Sequence, residues 1–182
     1  MILTQSVLEY IDAHRQEAYA LLLELAQIPA PSNQEEKRAQ FCKNWLEKQG
    51  AEGVYIDDAL NVVYPIGCEE NKPLAVFAAH SDVVFPDTEQ LPLKVEGDWI
   101  YCPGVGDDTG NVVALLMAAK YIAENKLQSP DWGILLVVNS GEEGLGNLKG
   151  CRKLFADYAG RVQEFFTFDL SAARLHDRAV GS

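Results

Sequence analysis

Two apolar runs, each the length of a strand and each followed at once by polar residues, are the feature that most limits how this chain can fold. They lie within "PLAVFAAHSDVV" and "WGILLVVNSGEEG". Unbroken apolar runs of this kind predict strands that are buried on both faces, as in a parallel sheet. Between them, "NVVALLMAAKYIAEN" has the apolar spacing of a helix. Strands that alternate with helices predict an α/β fold with a mostly parallel sheet.

The remaining segments fit the same fold class. Apolar spacing predicts a helix over residues 5–27, and a second helix begins at a predicted capping box formed by Ser32 and Glu35. "VYIDD" and "NVVYPIG" predict two strands joined by a short turn, and "LKVEGDWIYCPG" predicts a hairpin. A further helix is predicted over residues 145–158. "EFFTFDLS" predicts a last strand, which ends at Asp169.

Composition excludes some classes of partner. The chain has 182 residues and a formal net charge of −12, so neither a nucleic acid nor an anionic membrane surface is an expected partner. The first residues lack the basic leader and apolar run of a signal peptide, and no segment approaches the roughly 20 apolar residues that span a bilayer. The 4 cysteines are scattered, without a C-x-x-C pair. These features predict free thiols and a cytoplasmic location.

Polar side chains collect where the predicted strands end. Because the carboxyl ends of parallel strands meet at one edge of a sheet, ligands of α/β proteins bind there. The residues expected at this edge are His80 and Asp82 after one strand, Glu142 and Glu143 after the next, Asp169 after the last, and Asp107 and Asp108 at the entrance of a helix. Four separate segments therefore bring an imidazole and several carboxylates to one edge.

This combination of residues is typical of a metal centre. One histidine with several carboxylates suits zinc, manganese or cobalt. A site for two metals, roughly 3.5–4 Å apart, needs an acid that bridges them and a base that takes a proton from water. The adjacent Glu142 and Glu143 can divide this work, one as ligand and one as base. Asp82 lies two positions after His80, on the same side of the strand, where it can orient the imidazole.

Each of these residues also has a simpler interpretation on its own. A histidine at a strand end is commonly a polar cap, Asp107 and Asp108 fit an N-cap of the following helix, and Glu142 with Glu143 fits a solvated loop. Calcium or magnesium is a further alternative for an acid-rich edge, but His80 is a poor ligand for these hard ions. The convergence of all the elements at one edge favours the metal centre.

Four ordered motifs carry a family resemblance. "HSDVV", "GVGDDTGN", "NSGEEGLGN" and "FFTFDLS" resemble those of the M20 family of metallopeptidases, which includes acetylornithine deacetylase, succinyl-diaminopimelate desuccinylase, carboxypeptidases, aminoacylases, dipeptidases and tripeptidase T. The resemblance implies a three-layer α/β sandwich with a mostly parallel central sheet. This is the fold of zinc peptidases, and the chain is expected to form only part of it. It also implies hydrolysis of an amide or peptide bond in a dipeptide, a tripeptide or an N-acyl amino acid by a metal-activated water.

The resemblance also assigns roles to individual residues. It implies two zinc ions per complete site, which cobalt or manganese can replace. The implied metal ligands are His80, Asp107 as the bridging acid, Glu143 and Asp169; the implied general base is Glu142, and Asp82 is the acid that orients His80. The peptide bond between Asp107 and Asp108 is expected to be cis.

The chain departs from the family pattern in two ways. Asp108 and Thr109 stand where many relatives have a lysine. Family members are also longer, so residues 1–182 are expected to form only the N-terminal part of the catalytic domain, without the lid or dimerisation domain and the C-terminal segment that carries the last histidine ligand. His176 does not match that ligand. We therefore expect weak or no activity from this chain alone, and a homodimer or a complementary C-terminal half as its partner. The alternative is a non-catalytic metal-binding or interaction module derived from an M20 enzyme.

Overall fold

The computed structural model describes residues 3–169. This part of the chain contains five helices and seven strands, joined in the α/β order that the sequence predicts. The helices are α1 (Gln5–Ala13), α2 (Arg15–Ala26), α3 (Glu36–Lys48), α4 (Gly110–Glu124) and α5 (Lys149–Asp157). The strands are β1 (Tyr55–Ile56), β2 (Val62–Ile66), β3 (Leu74–His80), β4 (Lys94–Glu96), β5 (Trp99–Tyr101), β6 (Gly133–Asn139) and β7 (Val162–Phe168).

The central sheet has the strand order β1-β2-β6-β3-β7 in the described residues. β3 pairs in parallel with β6 and with β7, whereas β2 is antiparallel to both β1 and β6. Four of these five strands therefore run in one direction, and the predicted mostly parallel sheet is confirmed. β4 and β5 form a separate hairpin, as predicted.

Helices cover both faces of the sheet and give it three layers. Alternate residues of the strands point to opposite faces, so Ala79 and Val138 pack with α2, α3 and α4, while Ala78 and Val137 pack with Leu154 of α5. The central strand β6 is buried along nearly its whole length, which explains its unbroken apolar sequence. Burial on both faces fixes the register of β3 and β6 and places His80 directly opposite Asn139.

Two predictions about the helices were wrong. Residues 5–27 form two helices rather than one, with a break at His14, whose Nδ1 donates a hydrogen bond back to the carbonyl of Tyr10 at 2.8 Å and whose ring stacks on that of Tyr10. The predicted capping box is absent from α3: the helix begins at Glu36, and the residue before it makes no side-chain cap. Ser32 and Glu35 instead bind groups at the edge of the sheet.

No helix within residues 3–169 is both long enough and apolar enough to cross a membrane.

Candidate metal centre

His80 lies at the carboxyl end of β3 and is almost fully buried. Its Nδ1 lies 3.0 Å from the main-chain carbonyl oxygen of Asp82, and because a carbonyl only accepts, Nδ1 must be the donor. Nε2 faces Asp107 Oδ1 at 3.0 Å, a contact in which a protonated ring donates a hydrogen bond. Loss of this proton leaves the lone pair on Nε2, where a metal would bind. The imidazole is therefore oriented with a ligating nitrogen towards the acids.

Asp107 and Asp108 lie in an irregular turn, Val105–Thr109, and the peptide bond between them is cis, as expected. Neither aspartate caps α4, so the N-cap interpretation was wrong. Asp107 is half-buried beside His80. Asp108 is fully buried, and its carboxylate accepts hydrogen bonds from the main-chain N–H of His80 at 2.9 Å and from Asn111 Nδ2 at 2.5 Å.

The first departure from the family pattern thus has a structural account. Asp108 ties the turn to the end of β3, and Thr109 Oγ1 donates to the carbonyl of Gly104 at 2.7 Å, which closes the turn. Asn111 Nδ2 also donates to the main-chain carbonyl of Asp169 at 2.9 Å, and so links the turn to the end of β7. These bonds tie the turn to the ends of β3 and β7.

Glu142 and Glu143 lie in the loop that follows β6, residues 140–148, here called the glutamate loop. The side chains of Glu142 and Glu143 are half-buried. The main-chain N–H of Glu142 donates to Asp82 Oδ1 at 2.9 Å, and that of Glu143 donates to Asp82 Oδ2 at 3.1 Å. Ser32 Oγ donates to the same carboxylate at 2.7 Å. The side-chain carboxylate of Asp82 therefore holds the main chain of the glutamate loop, and the main-chain carbonyl of Asp82 orients His80.

Two donor sets share His80. In the first, ligand atoms of His80, Asp107, Asp108 and Asp169 all lie within 4.8 Å of one another; in the second, the same holds for His80, Glu142 and Glu143. The structure thus brings every predicted ligand to one edge of the sheet. Asp107, the predicted bridging acid, and Glu143, the predicted ligand of the other ion, belong to different donor sets. Asp169 is exposed, and His176 lies outside the described residues.

The electrostatics of this edge favour a cation. Burial by itself lowers the pKa of His80, but the Asp82 carboxylate, whose Oδ1 lies 3.5 Å from Nδ1, and the charges of Asp108 and Glu142 outweigh burial and raise the pKa to about 10. Burial likewise raises the pKa of Asp82, but hydrogen bonds from His80, Ser32 and the Glu142 N–H outweigh it, so that this pKa lies below its usual range. The lowered pKa keeps the Asp82 carboxylate ionised, and an ionised carboxylate is a good acceptor for the hydrogen bonds that Ser32 and the glutamate loop donate to it.

The other acids have raised pKa values. Burial raises the pKa of Asp108 to about 7. The charge of His80 and the hydrogen bonds that the Asp108 carboxylate accepts act in the opposite direction but are outweighed. Burial also raises the pKa values of Glu142 and Glu143, and the neighbouring carboxylates add to the increase, against the lowering effect of His80. Carboxylates that raise one another's pKa in this way are crowded, and a bound cation would relieve the repulsion.

Two charged residues that support the site were missed by the sequence analysis. Arg38 of α3 is 1% exposed; it donates to the carbonyls of Ser81 at 2.9 Å and Ile28 at 2.7 Å and to Thr109 Oγ1 at 3.3 Å. Glu35, also buried, binds the glutamate loop. Burial of the guanidinium lowers the pKa of Arg38 to about 10. For Arg38 the signal in the sequence is its helix position, four residues before the buried Cys42, which periodicity assigns to the buried face. Glu35 precedes the helix and gave no such signal.

Sequence comparisons agree with the geometry. The profile of peptidase family M20/M25/M40 matches residues 76–178. A protein from Pyrococcus abyssi, whose name describes a LysW-lysine/LysW-ornithine hydrolase, is 37% identical over 105 residues, which are 57% of this chain and 29% of that protein. Carboxypeptidase G2 from Pseudomonas sp. is 27% identical over 132 residues, which are 71% of this chain and 30% of that protein.

Solved structures have the same fold. A tripeptidase from Staphylococcus aureus superposes with a TM-score of 0.67 at 25% identity, over 86% of this chain and 44% of that one. Human carnosine dipeptidase 1 superposes with a TM-score of 0.70 at 21% identity, over 93% of this chain and 41% of that one. The chain spans between 29% and 34% of the length of the curated relatives it matches.

Proposed function

Since the chain belongs to peptidase family M20/M25/M40, we propose that the protein is a dinuclear-zinc hydrolase that cleaves an amide or peptide bond of a small substrate. One observation carries this proposal: two overlapping groups of donor atoms, His80 with the aspartates and His80 with the glutamates, each with its ligand atoms within 4.8 Å of one another, lie at the carboxyl edge of the sheet. The imidazole would serve one ion, and the second ion would depend on carboxylates alone. In open α/β sheets this edge is where ligands bind.

The donor chemistry fits zinc. His80 offers Nε2, because its Nδ1 is bound to a carbonyl, and the remaining donors are carboxylate oxygens. His80, Asp107 and Asp169 would hold one ion, with Asp107 shared as the bridge, and Glu143 would serve the other. Imidazole and carboxylates together suit zinc and also accept cobalt or manganese.

Each group in the proposed reaction has a defined task. Bound zinc would supply the nucleophile, by lowering the pKa of a water molecule, and would polarise the carbonyl of the scissile bond. Glu142 takes the proton of the attacking water and delivers it to the nitrogen of the leaving amine. The pKa of Glu142 is raised, first by burial, which favours uptake of a proton by this carboxylate. Asp82 keeps Glu142 in reach by holding its main-chain N–H.

Small peptides and N-acyl amino acids are the proposed substrates. The names of relatives support this class: a carboxypeptidase, a tripeptidase and a carnosine dipeptidase act on short peptides or their ends. We propose a cytoplasmic location. A second copy of the chain or a complementary C-terminal half is the proposed partner, and residues 1–182 are proposed as the N-terminal part of the catalytic domain.

The test is zinc content and amide hydrolysis in the 182-residue chain and in Glu142→Gln. After zinc loading and desalting, elemental analysis gives zinc per chain, and amine release is followed with a panel of dipeptides, tripeptides and N-acyl amino acids. The proposal predicts that both proteins retain zinc and that the wild type releases amine slowly, because residues 1–182 are proposed as only part of the catalytic domain, whereas Glu142→Gln releases none. Zinc retention with amine release no faster than that of Glu142→Gln would support the alternative, a metal-binding module. A folded wild-type chain that retains no zinc would contradict both.

A further inference from the structure

We propose that the buried Glu35 and the half-buried Lys149 form a clamp that positions the glutamate loop, and with it Glu142 and Glu143. The inference rests on the proposed function for the role of these two glutamates, but the clamp itself is defined by contacts in the structure. Glu35 lies before the region that the family profile matches, residues 76–178.

The carboxylate of Glu35 contacts both ends of the loop. Glu35 is fully buried, and its Oε1 accepts the main-chain N–H of Gly141 at 2.9 Å and that of Asn33 at 2.9 Å. Its Oε2 binds Lys149 Nζ at 2.9 Å. Gly141 is near the start of the loop and Lys149 directly follows its end. One carboxylate therefore fixes the width of the loop, and the ammonium of Lys149 compensates the buried negative charge.

Two glycines show how closely the loop is folded around this pair. Gly141 has φ +58°, and a Cβ on it would lie 2.6 Å from Lys149 Cγ. A Cβ on Gly146 would lie 2.2 Å from Gly141 Cα. The stem of Lys149 therefore passes directly across Gly141 on its way to Glu35, and the loop folds back onto itself there. Side chains at either glycine would push the loop off the clamp.

The clamp continues the contacts that Asp82 makes. Gly141, Glu142 and Glu143 are consecutive, and their three main-chain N–H groups donate to two buried carboxylates, the first to Glu35 and the next two to Asp82. The two carboxylates come from different segments, one before α3 and one after β3. Hydrogen bonds of N–H groups to carboxylates are stronger than those to neutral acceptors, so the main chain of the loop is held firmly.

A second lysine–glutamate pair provides a matched control. Lys120 of α4 is buried and binds the half-buried Glu17 of α2 at 2.6 Å, so in this pair the lysine rather than the glutamate is the more deeply buried partner. This pair joins two helices and makes no contact with the glutamate loop among the described residues. A pair that only stabilises the fold is expected to behave like Lys120 and Glu17. A positioning pair is expected to affect the site as well.

The experiment compares Lys149→Met with Lys120→Met, and adds the double variants Glu35→Gln/Lys149→Met and Glu17→Gln/Lys120→Met. Methionine keeps most of the lysine stem and removes the charge. For each protein, the denaturant midpoint, the zinc affinity by competition with a chromophoric chelator, and the amide hydrogen exchange of residues 141–143 are measured. The clamp predicts that Lys149→Met weakens zinc binding about 10-fold and speeds exchange at residues 141–143.

In Glu35→Gln/Lys149→Met, the glutamine oxygen still accepts the Gly141 N–H without a buried charge, so slow exchange is expected to return. Lys120→Met is expected to lower only the denaturant midpoint. The clamp is overturned if Lys149→Met lowers the midpoint as Lys120→Met does and leaves both zinc affinity and local exchange at wild-type values. If the wild-type chain binds no zinc, the proposed function fails, and the exchange rates alone decide on the clamp.

Discussion

The two sides of the site are held in place by different means. On the aspartate side, formed by Asp107, Asp108 and Asp169, the structure fixes two side chains: Asp107 faces His80 Nε2 at 3.0 Å, and the carboxylate of Asp108 is bound by the His80 N–H and by Asn111. On the glutamate side, formed by Glu142 and Glu143, the hydrogen bonds run to the main chain of the loop, through Asp82.

This difference indicates a division of work. A side chain that is fixed in place is suited to be a permanent ligand, because its orientation is settled before the metal binds. A carboxylate on a firmly held main chain keeps some freedom of its own side chain, which a base needs when it moves a proton from a water to a leaving group. We therefore expect metal affinity to depend mainly on His80 and the aspartate side, and proton transfer on Glu142.

The largest effect on metal binding is expected from His80→Ala, because His80 supplies the nitrogen donor of both donor sets and would ligate the more firmly held ion. Loss of the shared imidazole should weaken zinc binding more than 100-fold, beyond the range of roughly 10–100-fold typical of outer partners. Zinc is measured by elemental analysis after desalting. His14→Ala is the matched control, since His14 binds only the neighbouring helical turn in the contacts described above. Retention of zinc by His80→Ala at wild-type affinity would remove His80 from the site.

Zinc affinity is expected to depend more on the aspartate side than on the glutamate side. Asp107→Asn should weaken zinc binding about 100-fold and Glu143→Gln about 10-fold, because Asp107 belongs to the larger donor set and faces His80 directly. Both changes remove one charge and keep the shape of the side chain. Affinities come from chelator competition on the two variants in parallel. The opposite order would show that the glutamate side holds the tighter metal.

Asp82→Asn is expected to have an intermediate effect, on the fold as well as on the site. The carboxylate accepts hydrogen bonds from Ser32 Oγ and from the N–H groups of Glu142 and Glu143, and an amide can accept at only one of its two positions. We expect a loss of about 2 kcal/mol in the free energy of unfolding and zinc binding weakened about 10-fold.

Urea unfolding and zinc competition measure these two quantities. Asp98→Asn, in the exposed turn of the hairpin, is the control for the change of charge. Unchanged unfolding in Asp82→Asn would mean that the loop does not depend on this carboxylate.

The smallest effect on zinc is expected from Glu142→Gln. If Glu142 is the base rather than a ligand, zinc affinity should stay within about 3-fold of the wild type, well under the change expected for a ligand-supporting residue. Chelator competition measures it under the conditions used for Glu143→Gln. Equal losses in the two variants would mean that both glutamates are ligands, and the division of work would be wrong.

The strands and most helices followed from local sequence. β3 and β6 were predicted because unbroken apolar runs are required in a strand with both faces covered, and α4 because its apolar residues recur at helical spacing. The break at His14 was missed because it depends on a hydrogen bond and a ring contact with Tyr10, which apolar spacing does not encode.

The site was predictable only as a set of residues at one edge. The order of strands and their polar ends brought His80, the aspartates and the glutamates together without any knowledge of contacts. The residues that hold the site were not predictable in this way. Glu35 and Gly141 are 106 positions apart, and Ser32 and Asp82 are 50 apart. Ser32 and Glu35 fitted a local capping pattern, and the structure uses both for contacts across the fold.

Zinc binding by the wild-type chain tests the account most directly. Native mass spectrometry of the zinc-loaded, desalted protein gives the number of ions per folded chain, beside Asp107→Asn. We expect about one firmly held zinc at His80 and the aspartate side, lost in the variant, and a second, weaker ion at the glutamate side at higher zinc concentration. A folded wild-type chain that holds no zinc, or one whose zinc is unaffected by Asp107→Asn, would contradict it.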